Sequence, residues 1–298
     1  METNLVRRNL LVALGIAGIS LGLHAKATTN AANQPFDDAL AELERLAGGR
    51  LGVHMLDSGS GRELGRRSDQ RFGMCSTFKL PLAAMVLDRV GSGAMTLDQP
   101  LNVTKAEMVA YSPYVEAQLA MVPPAPVTVG AAAGAAVSLS DNTAANLLLD
   151  QMGGPDGFTA WLRSKGDMVT RLDRREPALN ENLPGDPRDT TSPLAIARTT
   201  RVLVTGDGLA AAQQKTLFGW MKATSTGLQR IRGGLPPTWV AGDKTGSCGN
   251  AFNDITVFTT DANRTYTLAI YLDRPAVKGE QANAIISDAT RIVLSHVR

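Results

Sequence analysis

WVAGDKTGSCGNAFNDITVFTTDANRTYTLAIY, residues 239–271, carries the strongest strand signals of this 298-residue chain. Trp239–Lys244, Ile255–Thr260 and Tyr266–Tyr271 are short apolar runs rich in β-branched and aromatic residues, which predicts strands. Asp261-Ala262-Asn263-Arg264 supplies a hairpin turn between the last two. Comparable strand signals occur elsewhere only near the start, at Arg50–Leu56 and Arg62–Arg66, joined through Asp57-Ser58-Gly59-Ser60-Gly61. Between the two groups the pattern is helical, over Thr77–Val90, Val129–Gly134, Thr143–Gln151, Asp156–Ser164, Ser192–Val204 and Ala210–Ala223. The two ends must therefore fold together. The expected architecture is α+β, with a mostly antiparallel five-stranded sheet flanked by terminal helices, Pro35–Leu46 and Ala282–Val297, plus an all-helical domain. Residues 28–71 and 224–298 would form the sheet domain and 72–223 the helical one, with a cleft at their boundary.

Composition excludes several classes of function. The 30 Lys and Arg nearly balance the 28 Asp and Glu, and aromatic residues make up only 5%, so neither a basic stripe nor base-stacking platforms point to nucleic acid. Arg7-Arg8, the apolar run Leu10–Leu23 and Ala25-Lys26-Ala27 have the layout of a secretory signal over residues 1–27, with a twin-arginine look. The alternative is an uncleaved anchor. No other segment is apolar for long enough to span a membrane, so the mature chain is expected to be exported, periplasmic and free of the membrane. The cysteines are two, Cys75 and Cys248; in an exported chain such a pair suggests a disulfide, with two buried thiols as the alternative. Outside the signal the histidines are His54 and His296 alone, which supplies a Ser-His-Asp triad or a zinc site poorly. No metal or cofactor is expected.

Ser76-Thr77-Phe78-Lys79 places a hydroxyl and an amine one helical turn apart, hence on one face. Alone it reads equally well as a capped helix with an exposed lysine. Ser140-Asp141-Asn142 is in isolation a good helix N-cap cluster, and Lys244-Thr245-Gly246 an ordinary strand end. Glu176-Pro177-Ala178-Leu179-Asn180 lies in a loop, Arg171–Pro193, that is dense in Pro, Gly and Asp, and a loop of such length in a compact domain is usually functional or disordered.

Together, S-x-x-K, S-D-N and K-T-G in that order form the signature of class A β-lactamases and penicillin-binding proteins. From about Phe36 to its C-terminus the chain resembles a class A serine β-lactamase, with Glu176-x-x-Leu-Asn180 in the position of that family's Ω-loop. The resemblance implies the two-domain penicillin-recognising fold and hydrolysis of β-lactam antibiotics. Ser76 would form the acyl-enzyme, and Lys79 would share the proton traffic. Glu176, with Asn180, would activate the deacylating water, while Ser140 would pass a proton to the leaving nitrogen with electrostatic support from Lys244. Backbone N–H groups of Ser76 and Ser247 would form the oxyanion hole. Asn142, Thr245, Ser247 and Arg230 would bind substrate, Tyr111 would wall the cleft, and an Arg174–Asp189 ion pair would pin the Ω-loop. Cysteines placed as Cys75 and Cys248 resemble the disulfide-bearing subgroup that includes carbapenem-hydrolysing enzymes, which implies a broad spectrum. Small-molecule β-lactams are the expected partners, and a monomer the expected state. The segment Ala120–Pro126 departs from the family in its length and proline content. The competing expectation is a penicillin-binding sensor or transpeptidase-like protein, acylated but without turnover; a noncatalytic structural protein would require every motif to be coincidental.

Overall fold

The computed structural model describes Gln34–His296, so the expected signal, residues 1–27, lies outside the described residues. In chain order the elements begin with α1 (Gln34–Ala47), β1 (Arg50–Asp57), β2 (Glu63–Arg66) and β3 (Phe72–Gly73). A 3-10 turn, Cys75–Phe78, then leads into α2 (Lys79–Gly91). Next come β4 (Pro100–Leu101), α3 (Pro113–Ala120), β5 (Val127–Thr128), α4 (Val129–Ser138), α5 (Asn142–Gln151) and α6 (Gly154–Ser164). The Ω-loop, within Arg171–Pro193, includes β6 (Thr190–Thr191), and the chain continues through α7 (Pro193–Val204), α8 (Ala211–Lys222) and α9 (Ile231–Gly234). It closes with β7 (Val240–Cys248), β8 (Ala251–Thr259), β9 (Thr265–Asp273) and α10 (Glu280–Ser295).

The five long strands form one antiparallel sheet in the order β2-β1-β9-β8-β7. Pairing of β1 with β9, from Arg50 opposite Asp273 to Asp57 opposite Tyr266, joins the two ends of the chain as their strand signals require. The period of two then sorts side chains between two cores. Tyr266, Leu268, Ile270 and Leu272 of β9 join Leu51, Val53 and Met55 of β1 beneath the terminal helices, whose Phe36, Leu40, Ile286 and Val293 close that core. Ala269 and Tyr271 face the other way and join Ile255, Val257 and the helical core around Phe78, Leu82, Leu148 and Ile196. Truncating a fully buried member such as Leu268 to alanine would cost roughly 2–5 kcal/mol. Gly52 permits close packing on the helical side, since a Cβ there would lie 2.5 Å from the Phe72 ring and 2.8 Å from Pro193.

Three local features differ from the sequence expectation. Strand β7 does not end at Gly246 but continues to Cys248, because β8 begins early enough, at Ala251, to pair every residue of it around a tight Gly249-Asn250 turn. Helix α4 runs on to Ser138 through a stretch of alanines whose weak amphipathicity hides its end. Helix α3 and the two-stranded ribbons β3–β6 and β4–β5 had no readable period; α3 buries only Val115, and two-residue strands carry no alternation. Among the described residues no helix is long and apolar enough to cross a membrane.

Candidate active site

Ser76 stands in the 3-10 turn at the head of α2, and the turn is held from the sheet side. Asn253 of β8 donates Nδ2 to the carbonyls of Gly73 and Met74 at 2.9 and 3.2 Å. Thr77 Oγ1 donates to Met74 O at 2.8 Å and lies 2.9 Å from the Tyr271 hydroxyl. Strand β7 passes so close that a Cβ on Gly246 would sit 2.6 Å from Met74 O, which makes glycine obligatory there. Cys75, just before Ser76, has a φ of 46°, a left-handed conformation that costs a residue with a Cβ and persists only where its surroundings enforce it. The disulfide from Cys75 to Cys248, across a Cα–Cα distance of 5.7 Å, supplies part of that enforcement and resolves the sequence alternatives in favour of a bridge.

The Lys79 ammonium is completely buried and reaches four oxygens. It donates to Ser76 Oγ at 2.8 Å, to Ser140 O at 2.9 Å and to Asn142 Oδ1, and it forms an ion pair with Glu176 Oε1 at 2.9 Å. Burial pushes its pKa below the ordinary lysine value, with the Glu176 and Asp141 charges opposing. Glu176 is likewise buried; Ser76 Oγ lies 3.4 Å from Oε1, and Asn180 donates Nδ2 to Oε2 at 2.5 Å. Asn180 Oδ1 is a buried acceptor without a protein partner.

Ser140 bridges two lysines. Its carbonyl takes Lys79, and its hydroxyl accepts from Lys244 Nζ at 3.1 Å. Lys244 is also fully buried, and desolvation together with the Lys79 charge drives its pKa well down against the pull of Asp243, Asp254 and Glu176. Asp141 works as the N-cap reading expects: Oδ1 accepts from Ala144 N at 2.8 Å, and Oδ2 takes the amides of Tyr114 and Val115. Asn142 donates its backbone N–H to Tyr111 O and its side chain to Ala110 O, which ties this loop to the exposed Tyr111.

On the opposite side Arg230, at the head of α9, is only 7% exposed. It donates to Ser247 Oγ at 2.7 Å, to the carbonyls of Gly246 and Asn253, and to Asn283 Oδ1. Burial lowers its pKa, opposed by the charges of Asp254 and Asp243. Thr245 Oγ1 is 2.7 Å from Thr226 Oγ1. Ser76, Tyr111, Ser140, Asn142, Asn180, Thr226, Gly227, Arg230, Thr245 and Ser247 line one cleft of about 330 Å³. Lys79, Glu176 and Lys244 lie beneath its floor, within bonding distance of residues that line it.

The Ω-loop is pinned as expected by Arg174 Nε to Asp189 Oδ2 at 2.6 Å, while Asp189 Oδ1 accepts the amides of Asp173 and Arg174. Other residues of the site escaped the sequence reading. Asn146 holds the Glu176 backbone at both ends, accepting from its N–H at 3.1 Å and donating to its carbonyl at 2.9 Å. Its signal was its place one turn after Asn142 on α5. Below Lys244, Asp243 pairs with Arg232, and Asp254 accepts from Ile231 N. Desolvation raises both carboxyls above the usual range, that of Asp243 with help from the Asp254 charge, and the neighbouring cations oppose. Charged residues inside an apolar strand run were the available clue. His54 is a core residue, its Nδ1 3.1 Å from Ser68 Oγ and its pKa pushed down to about 4 by burial, and it lies outside the cleft. Among the described residues no group of His, Cys, Asp and Glu is arranged to hold a metal.

Known proteins share both sequence and shape with this chain. Residues 35–297 match the sequence family described as the beta-lactamase enzyme family. Toho-1 β-lactamase of Escherichia coli is 40% identical over 98% of this chain and 99% of its own. The carbapenem-hydrolysing β-lactamase KPC of Klebsiella oxytoca is 42% identical over 92% of this chain and 91% of its own. Among solved structures, an ancestral class A β-lactamase superposes with a TM-score of 0.84 at 47% identity, covering 88% of this chain and 99% of its own.

Proposed function

The chain belongs to the class A β-lactamase family and is a serine hydrolase of β-lactams, and from that premise we propose how its residues divide the work. Ser76 Oγ attacks the lactam carbonyl carbon, and its proton leaves through the Lys79–Glu176 pair, whose nitrogen and oxygen stand 2.8 and 3.4 Å from it. The C–N bond breaks as the ring nitrogen takes a proton from Ser140, which Lys244 supports. In deacylation a water gives its proton to Glu176 while its oxygen attacks the ester carbon, and Ser76 Oγ departs, recovering a proton through the Lys79–Glu176 pair. Asn180, with one side-chain atom on Glu176 and a free buried acceptor, is suited to hold that water. The amides of Ser76 and Ser247 stabilise the oxyanion, a contribution of roughly 3–4 kcal/mol per donor in comparable sites. Arg230, Thr245 and Ser247 receive the substrate carboxylate, Asn142 its side-chain amide, and Tyr111 covers the cleft.

The observation that carries this reading is the convergence of Ser76, Glu176, Asn142 and Ser140 on one buried lysine nitrogen. Replacing the base by an isostere tests it. In Glu176→Gln, penicillin turnover should fall by about 10²–10⁴-fold, and intact-protein mass spectrometry should find the acyl-enzyme accumulated. Unchanged deacylation would remove Glu176 from its role, whereas a wild-type protein that stays acylated would be the sensor-like alternative.

The proposed spectrum is broad and includes carbapenems, supported by the Cys75–Cys248 bridge beside the nucleophile and by likeness to a carbapenem-hydrolysing relative. Steady-state hydrolysis of a carbapenem beside a penicillin decides it. An exported, periplasmic, monomeric enzyme remains the proposal for its setting. The proposed division into 28–71 with 224–298 and 72–223 draws on the separate cores on the two sheet faces.

A further inference from the structure

A second cleft, of about 470 Å³, shares no residue with the catalytic one and lies between the Ω-loop and the start of β3. Three guanidinium groups line it, those of Arg50, Arg71 and Arg274. Arg50 and Arg274 converge on a single carboxylate oxygen, Asp273 Oδ2, at 2.7 and 2.9 Å. Asp273 Oδ1 is taken by Asn182 Nδ2 of the Ω-loop at 2.7 Å. Arg71 forms no ion pair among the described residues and bonds through Nη1 to neutral oxygens, Val169 O at 3.0 Å and Thr190 Oγ1 at 2.9 Å. The acid in the wall itself, Asp186, is occupied by Arg188, which donates Nη2 to it at 2.7 Å. Arg50 and Arg274 therefore share one carboxylate, and Arg71 has no carboxylate bonded to it, Asp167 and Asp173 acting on it only through their charge. Burial and the neighbouring charges of Arg171 and Arg163 hold the Arg71 pKa below its ordinary value, with the charges of Asp167 and Asp173 opposing.

We propose that this cleft is a binding site for a dianionic oxyanion, a phosphate group or a small dicarboxylate, held between Arg71 and the Arg50–Arg274 pair. The planar fork of arginine suits either anion, donating to two oxygens at once. Because Asn182 and Thr190 belong to the Ω-loop and Gly73 to the strand feeding the nucleophile turn, an anion seated among them ties loop to turn from outside the catalytic cleft.

Calorimetric titration of the intact protein with inorganic phosphate, glycerol phosphate and succinate, at constant ionic strength set by chloride, tests the site without any substrate. Saturable binding at one site per chain is expected, together with slower amide exchange over residues 181–190. Arg71→Gln should weaken binding by about tenfold or more, the loss expected for a charge-assisted pair, and Arg274→Gln provides an independent variant should the first not fold. Arg45→Gln, which removes an exposed arginine of α1, should change nothing. A preference for the phosphates or for succinate identifies the anion. No saturable binding below about 10 mM, equal weakening by Arg45→Gln, or unaltered exchange over 181–190 would each overturn the proposal. None of these readouts depends on the assignment of Ser76.

Discussion

Along β7 nine consecutive residues, Val240–Cys248, pair with β8, and β8 in turn pairs along its length with β9. The Ω-loop, which faces that strand across the catalytic cleft, holds one helical turn at Ala178–Asn180 and the two residues of β6. What fixes the loop is side chains: Arg174 on Asp189, Asn146 on the Glu176 backbone, and Asn182 on Asp273. One wall is thus specified by backbone hydrogen bonds that tolerate many side chains, the other by a few particular side chains. Damage to the frame of the strand wall, away from Lys244, Thr245 and Ser247, should cost stability with little loss of chemistry, whereas damage to the loop wall should cost both.

The largest stability effect should come from the strand side. Replacing both Cys75 and Cys248 by serine opens a loop of 173-residue separation, and the chain-entropy account puts the loss between about 2 and 5 kcal/mol. Urea unfolding should report that loss while kcat for a good penicillin stays within about threefold of wild type, because Asn253 and the close passage of Gly246 still position the turn. A tenfold fall in kcat would show that this wall depends on its covalent tie. Asp189→Asn strikes the other wall, removing a charge with a fully buried side chain beneath Arg174. Arg174 keeps Glu181 as a partner, so the cost should be near the low end for a broken buried pair, about 3 kcal/mol. Here deacylation should slow by tenfold or more, because Glu176 shares the loosened loop; pre-steady-state kinetics with unchanged deacylation would separate the ion pair from the base.

The smallest effect is one of sign. Burial raises the carboxyl pKa of Asp243 beneath β7, so its stabilising contribution is complete below the ordinary value near 3.8 and is lost as pH rises through the elevated one. Asp173 in the Ω-loop is also partly desolvated, but bonds from Arg171 and the Asp189 amide outweigh that and lower its pKa. Its contribution is present above the ordinary value and lost as pH falls. The two walls should therefore have opposite pH slopes. Asp243→Asn should flatten the decline in thermal stability on the approach to neutral pH, and an unchanged profile would assign that decline elsewhere.

How much of this was legible in the sequence follows the same contrast. The strands were readable as short apolar runs rich in β-branched and aromatic residues, buried on both faces, and the first helix because Phe36, Leu40 and Leu43 recur at helical spacing. The cleft residues were readable because short motifs place them. Asn146 and Asp254 were not, because an asparagine inside a helix and an aspartate inside a strand gain meaning only from what folds against them, Glu176 in one case and Ile231 in the other. The continuation of β7 past Gly246 was hidden for a similar reason: Ser247 and Cys248 are extended because Phe252 and Ala251 lie opposite them, not because of an intrinsic strand preference.

The Cys75–Cys248 bond also changes how the chain bears load. Every residue that lines the catalytic cleft falls between the two half-cystines in sequence, from Ser76 to Ser247. Mechanically, then, the enzyme is a covalent ring that carries the site, with two tails that braid into the sheet through β1 and β9. Tension applied to the ends would peel the tails and pass from one sulfur to the other. The ring, with α2 to α9 and the Ω-loop inside it, would bear almost none of it.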